Sequence, residues 1–130
     1  MDRREFLGFI GMATLAPTLS RGQDRSNPFG LIVRLKAAPG MRDELIAALK
    51  DGAIDMPGCL SYVVANDASA KDVVWITEVW ESASSHDASL SLTSVKSAMA
   101  RAKGLISEFS RIAITSPVWE VEMASRRPFI

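Results

Sequence analysis

Two short alternating stretches constrain the fold of this chain more than any other feature. Cys59–Asp67 ("CLSYVVAND") and Asp72–Trp80 ("DVVWITEVW") are rich in β-branched and aromatic residues, and only a few polar residues separate them. Two such runs joined by a short polar loop predict an antiparallel β-hairpin. Because side chains alternate along a strand, Glu78 and Trp80 are expected on the same face. That face also takes Val74 and Ile76, and the opposite face takes Val73, Trp75, Thr77 and Val79.

A strand and a helix are predicted before this hairpin. Phe29–Gly40 ("FGLIVRLKAAPG") is apolar and ends at Pro39 and Gly40, which favour a turn, so it is predicted to form the first strand. Met41–Ala53 ("MRDELIAALKDGA") repeats apolar residues at the spacing of one helical face and is predicted to be a helix.

Helical patterns also follow the hairpin. Ser82 or Ser84 is expected to cap a short helix, the latter with Asp87 as its capping-box partner. Thr93 or Ser94 is expected to cap a second helix that covers Val95–Phe109 ("VKSAMARAKGLISEF"). The extended stretch Arg111–Met123 is predicted to be the last strand, interrupted by Pro117.

The order strand, helix, strand, strand, helix, strand predicts an α+β, ferredoxin-like split βαβ fold. Such a sheet has helices on one face only. A second copy of the chain is the simplest cover for the other face, so we expect a homodimer in which two sheets form an α+β barrel. Trp119 is expected either to contact the partner subunit or to lie in the core of its own subunit.

The N-terminus resembles an export signal. Arg3–Leu7 ("RREFL") matches the twin-arginine pattern, and a mildly apolar run follows it. We therefore expect the protein to be periplasmic or exported by the twin-arginine route; the alternative is an N-terminal amphipathic helix of the mature protein. The expected organisation is a signal at 1–20, a linker at 21–29, one folded domain at 30–124 and a C-terminal tail at 125–130.

Composition excludes several classes of function. Lys plus Arg and Asp plus Glu are both 15, which argues against a nucleic-acid partner that depends on positive charge. The apolar run from Phe6 to Leu19 is too short for a stable membrane span. Cys59 is the only cysteine, so an internal disulfide or a multi-cysteine metal site is excluded, and a buried thiol is expected.

Several stretches taken together resemble the antibiotic biosynthesis monooxygenase (ABM) family, whose members are small dimeric α+β barrels. The resemblance covers about Leu31 to Met123. It is carried by "PGMRDELIAALK", by "PGCLSYVV" and by "VWITEVWESASSHDASLSLTSVKSAM", which includes Glu78, Trp80, Ser82, Val95 and Lys96.

The resemblance implies oxidation of a small phenolic, quinol or polyketide-like aromatic by dioxygen, with no metal, haem or flavin. Such a reaction requires a dry pocket, a proton acceptor and donors for a developing anion. His86, whose ordinary pKa lies near neutrality, and Trp80 are the candidate catalytic residues. The candidate substrate-binding residues are Tyr62, Ile76, Glu78, Ser89 and Met99.

Each of these residues also has a structural interpretation. Trp80 and Tyr62 can equally be core residues. A lone histidine beside Asp87 on a serine-rich helix is expected to be solvated rather than catalytic. Glu78 is expected to be an exposed strand residue paired with a lysine, and a buried base is the alternative.

The chain departs from the histidine and asparagine patterns of the family's branches. Quinol-oxidising relatives carry histidines at the positions of Ser89 and Ser94, and polyketide-oxidising relatives carry an asparagine at Ile76. The haem-degrading branch uses an asparagine, a tryptophan and a histidine at the positions of Val33, Ser89 and Met99, so haem chemistry is disfavoured. Two hypotheses remain: a cofactor-independent monooxygenase, and a non-catalytic exported barrel that binds a small apolar ligand.

Overall fold

A computed structural model of the chain describes residues 27–119. Its elements, in chain order, are β1 (Phe29–Ala37), α1 (Arg42–Gly52), β2 (Cys59–Asn66), β3 (Val73–Trp80), α2 (Ala83–Ser89), α3 (Thr93–Lys103) and β4 (Ile106–Thr115). The expected signal at 1–20 and the tail at 125–130 lie outside the described residues and stay predictions.

The four strands form one antiparallel sheet in the order β2-β3-β1-β4. Sequential strands β2 and β3 are neighbours, whereas β1 lies between β3 and β4, as a split βαβ arrangement requires. The predicted α+β, ferredoxin-like fold is therefore confirmed. The predicted short helix is also present, as α2, between β3 and the second long helix.

The core lies between the sheet and the helices. Leu31, Val33 and Leu35 of β1 alternate inward and are at most 3% exposed. Leu45 from α1 and Ala102 from α3 belong to the same buried cluster. From Val74 onward, burial along β3 confirms the predicted alternation, because Val74, Ile76, Glu78 and Trp80 are buried and Thr77 is exposed. Val73, on the opposite face at the start of the strand, is buried as well.

The loop between β2 and β3 is ordered by Asp67. Its carboxylate accepts hydrogen bonds from the backbone N–H groups of Ser69 and Ala70, each at 2.8 Å, and from the indole of Trp75 at 2.8 Å. These bonds, that of Ala70 first, hold the pKa of Asp67 below its usual range. The loop therefore fixes the indole of Trp75, which belongs to the sheet face opposite the helices.

The boundary between the last helix and the last strand was predicted wrongly. The helix ends at Lys103 with Gly104 as its C-cap, and Ile106 already belongs to β4. Residues 106–109 fit a helical apolar pattern, but their backbone pairs with β1, where Lys36 lies opposite Glu108. Strand pairing thus overrides local periodicity. The strand ends at Thr115, before Pro117.

One of the two predicted helix caps is confirmed and the other is wrong. Ser82 caps α2, since its hydroxyl accepts a hydrogen bond from the Ser85 N–H at 3.1 Å. Leu92, not Thr93 or Ser94, is the N-cap of α3.

Trp119 is 80% exposed, so its placement in the core of its own subunit is wrong. Cys59 is half-buried rather than buried. Within residues 27–119, no helix is long and apolar enough to cross a membrane.

Candidate active site

A cavity of about 110 Å³ lies between the sheet and the helices. Its walls come from all four strands and all three helices of the described chain. An engineered cavity of roughly 150 Å³ admits benzene, so this space suits at most one small ring. Met56 and Met99 line it, and their flexible side chains can adjust to a ligand. A purely structural role for these residues would require side chains to fill this space. Instead the cavity is open.

Strand β3 supplies a buried carboxylate at one end of the cavity. Glu78 is 8% exposed and Trp80 is 1% exposed, and both line the cavity. Because they are two residues apart on a strand, they share a face, and the indole Nε1 of Trp80 donates a hydrogen bond of 2.8 Å to Glu78 Oε1. This hydrogen bond supports the carboxylate in an apolar environment.

Helix α2 places the imidazole of His86 beside that carboxylate. The helix begins at Ala83, directly after its Ser82 cap, so His86 lies one turn past the cap. His86 Nε2 is 3.9 Å from Glu78 Oε1, and the residue is 4% exposed. The imidazole packs between two aromatic rings, Phe29 at 5.1 Å and Trp80 at 5.4 Å between centroids. The helix thus presents its histidine inward.

Tyr62 and Ser89 complete the polar end of the cavity. Tyr62 lies opposite Glu78 in the register of β2 and β3, so both side chains point toward the helices. Ser89 is one turn beyond His86, and its hydroxyl donates a hydrogen bond of 2.6 Å to the His86 carbonyl. We call Tyr62, Glu78, His86 and Ser89 the polar cluster.

Burial moves the pKa values of the titratable groups in this cluster in opposite directions. Desolvation raises the pKa of Glu78 from 4.5 to about 7, although the Trp80 hydrogen bond works against this. Desolvation lowers the pKa of His86 from 6.5 to about 4. Burial, reinforced by the nearby Glu78, raises the pKa of Tyr62 well above its usual range. At neutral pH the imidazole and the phenol are therefore neutral, and Glu78 is the group that titrates.

All of the residues proposed from sequence line this one cavity. They are His86, Trp80, Tyr62, Ile76, Glu78, Ser89 and Met99. Their roles in binding and catalysis stay predictions.

Two expectations about single residues were wrong. Glu78 is not an exposed partner of a lysine, because alternation on β3 turns it toward the helices. His86 is not solvated, because the Ser82 cap starts α2 at a point that directs residue 86 inward.

Sequence analysis missed the apolar walls and one aromatic neighbour. Phe29, the first residue of β1, contacts His86 because it lies opposite Trp80 in the strand register. Leu49, Met56, Leu90 and Phe109 also line the cavity. Their apolar character was visible in the sequence, but their convergence follows from strand order and helix packing. Within residues 27–119, no group of three or more His, Cys, Asp or Glu side chains could hold a metal ion.

The fold and this site define a small ferredoxin-like domain with a carboxylate and an imidazole enclosed at one end of an apolar cavity. The chain belongs to the antibiotic biosynthesis monooxygenase family, whose profile matches residues 28–101. A candidate antibiotic biosynthesis monooxygenase from Chloroflexus aurantiacus is 50% identical, with a TM-score of 0.69; the match covers 75% of this chain and 99% of that one.

More distant structures support the fold alone. A candidate family member from Caulobacter crescentus is 19% identical with a TM-score of 0.66, covering 72% of this chain and 92% of its own. One from Bacteroides thetaiotaomicron is 16% identical with a TM-score of 0.68, covering 77% and 99%. No functionally curated protein matches the chain.

The opposite pKa shifts of Glu78 and His86 predict a testable dependence of stability on pH. The raised pKa of Glu78 contributes stability that is fully present below about 4.5 and is lost as pH rises through about 7. The lowered pKa of His86 contributes stability that is present above about 6.5 and is lost as pH falls through about 4. Between about 4.5 and 6.5 the two slopes oppose each other.

Single variants should therefore reveal each slope. In Glu78→Gln the free energy of unfolding should rise with pH from about 4 to 6.5, and in His86→Gln it should fall with pH from about 4.5 to 7. Each change should amount to about 1–3 kcal/mol. Urea denaturation at several pH values measures it, with Glu81→Gln as the matched control. Identical pH profiles for both variants would contradict the assignment.

Proposed function

We propose that this protein is a cofactor-independent monooxygenase that oxidises a small phenolic, quinol or polyketide-like aromatic with dioxygen. The observation that carries the proposal is the buried carboxylate–imidazole pair at the end of an apolar cavity, in a chain of the ABM family. The named relatives support the class of reaction. The cavity volume supports a small substrate.

Proton removal is the step for which the site is best equipped. A phenol becomes an effective electron donor to dioxygen only after it loses its hydroxyl proton. Glu78, whose pKa is raised by burial to about 7, can accept that proton at neutral pH. His86, whose pKa is lowered to about 4, is a weak base, and we assign it the role of orienting and stabilising the carboxylate and the substrate hydroxyl. The sequence alone suggested His86 as the base. We propose instead that Glu78 accepts the proton first and that His86 assists it.

In the oxygen-transfer step, Glu78 and the residues around it act on the intermediates. One oxygen atom of O₂ enters the ring, and the other leaves as water together with two hydrogen atoms of the substrate. The substrate supplies the electrons. Protonated Glu78 can return its proton to the departing oxygen, and the apolar walls exclude bulk water from the intermediates. The Trp80 indole holds the carboxylate in place throughout.

A non-catalytic barrel that binds a small apolar ligand is the second candidate. Ser89 and Ser94 favour it, because the family resemblance implies histidines at these positions in quinol-oxidising relatives. Both candidates use the same cavity, so oxygen consumption separates them.

We further propose that two copies of the chain pair through the sheet face opposite the helices. That face presents Ile32, Val63, Trp75 and Val79, which are all only half-buried in the single chain. Ile112 and Ile114, each 52% exposed, add apolar surface at the edge strand β4, where Ile114 lies opposite Leu31 rather than on that face. Apolar surface of this extent is typical of an interface, and a two-fold dimer would cover it.

We also propose that the protein is exported through the twin-arginine route, on the basis of the Arg3–Leu7 pattern.

The activity prediction concerns oxygen uptake with a panel of phenols and hydroquinones. Glu78→Gln should lower kcat/KM about a hundredfold, because the amide cannot accept the proton. The wild-type rate should rise with pH through a midpoint at about 7, where half of the carboxylate is ionised, and level off at higher pH. An oxygen electrode measures both, and a metal chelator should leave the rate unchanged.

The control for this experiment is Glu81→Gln, which makes the same chemical change outside the cavity and should keep the rate. His86→Gln should cost about tenfold and leave the pH midpoint near that of wild type. A larger loss in His86→Gln than in Glu78→Gln would assign the proton to the histidine. Absence of uptake with every compound would favour the ligand-binding candidate.

The dimer prediction concerns mass in solution. Thr77→Arg places a charge at an exposed position of β3 on the sheet face opposite the helices, so light scattering should show a shift from two subunits to one. Ser97→Arg, which adds the same charge to an exposed position of α3, should keep the dimer. A wild-type mass equal to one subunit at micromolar concentration would contradict the dimer.

The export prediction concerns the paired arginines. Replacing both Arg3 and Arg4 by lysine should retain the protein in the cytoplasm, since the twin-arginine pathway reads the pair. Fractionation followed by immunoblotting measures this. Equal periplasmic amounts of the two forms would exclude the route.

A further inference from the structure

The polar groups that line the cavity all lie at one end of it. Glu78 Oε1 and His86 Nε2 are 3.9 Å apart, Tyr62 lies opposite Glu78 on β2, and Ser89 follows His86 by one turn. The remaining lining is apolar, apart from the Trp80 N–H that already donates to Glu78.

The other end of the cavity lies out of reach of the polar cluster. Leu35 pairs with Val74, which is four residues before Glu78 on β3, so the two levels are roughly 13 Å apart along the strand. Ile106 and Phe109 form the wall near Leu35, since Phe109 is its partner in β4.

This asymmetry bears on where a substrate can carry its hydroxyl groups. When one hydroxyl of a ring lies on Glu78, a second hydroxyl stays closest to the cluster if it is on the neighbouring carbon. A hydroxyl on the opposite carbon points away from Glu78, toward the apolar part of the lining. A hydroxyl buried there exchanges its hydrogen bonds to water for no partner, which weakens binding.

We propose that the site selects aromatic compounds whose hydroxyl groups occupy adjacent ring positions, with one hydroxyl on Glu78 and the other on Tyr62, and disfavours their 1,4-isomers. The inference rests on the proposed function for the class of ligand. Tyr62 is the specificity-determining residue, because its hydroxyl can both donate and accept a hydrogen bond. Glu78 accepts a proton or hydrogen bond from the first hydroxyl in either isomer, so Glu78 does not distinguish them.

The test compares three benzenediols of identical composition: catechol (1,2), resorcinol (1,3) and hydroquinone (1,4). Binding is measured without oxygen, by quenching of the Trp80 indole, which lines the cavity whereas Trp75 and Trp119 do not. The full chain carries Trp75→Phe and Trp119→Phe to isolate the signal. Catechol should bind about tenfold or more tightly than hydroquinone, with resorcinol between them. Equal affinities, the reverse order, or failure of all three to bind at millimolar concentration would overturn the proposal.

Two further variants test the role of Tyr62. Tyr62→Phe should reduce the catechol-to-hydroquinone ratio to about twofold or less, because it removes only the second hydrogen-bonding partner. Ser61→Ala, which removes a hydroxyl from the neighbouring position of β2 outside the cavity lining, should keep the ratio of the parent. An unchanged ratio in Tyr62→Phe would overturn the assignment of the second hydroxyl to Tyr62.

Oxygen uptake with the same three compounds separates this inference from the proposed function. A preference for catechol in binding with no uptake from any isomer supports the selection rule and contradicts the monooxygenase proposal. Fastest uptake from hydroquinone, matched by its tighter binding, supports the monooxygenase and overturns the selection rule.

Discussion

The hydrogen bond between the Trp80 indole and the Glu78 carboxylate, 2.8 Å long, holds together the polar end of this protein's cavity. A carboxylate in an apolar environment is destabilised unless a donor stabilises it. Trp80 supplies that donor from two residues away on the same strand, and the indole itself forms part of the wall. The hydrogen bond keeps Glu78 inside the cavity, and burial there raises its pKa toward neutrality although the hydrogen bond itself acts in the opposite direction. The proposed chemistry depends on both the position and the raised pKa.

The one-sided covering of the sheet explains the rest of the architecture. Helices α1, α2 and α3 cover the face that carries Leu31, Val33 and Glu78, and the core cluster and the cavity share that layer. Residues such as Gly52 and Ala98 keep α1 and α3 close, since a Cβ at Gly52 would lie 2.5 Å from that of Ala98.

Much of this was readable from sequence, and the failures have identifiable causes. Alternation on β3 predicted that Glu78 and Trp80 share a face, because a period of two residues is intrinsic to a strand. The end of α3 was misplaced because residues 106–109 satisfy a helical pattern locally, and only pairing with β1 decides against it. The burial of His86 depends on how α2 folds back over the sheet and on Phe29, which is more than fifty residues away in the chain. Contacts of that kind have no local signal.

The acid–base groups and the cavity walls differ in how far apart they lie along the chain. Glu78, Trp80, His86 and Ser89 fall within a single strand–turn–helix segment, whereas Val33, Leu49, Met99 and Phe109 come from four separate elements. Three of the four residues of the polar cluster thus lie in one contiguous segment, with Tyr62 on β2 as the exception, and the cavity walls come from scattered parts of the chain. Substitutions in α1, α3 or β4 can change the walls while the strand–turn–helix segment keeps its internal geometry, so family members that share this segment are free to differ in the shape of the cavity.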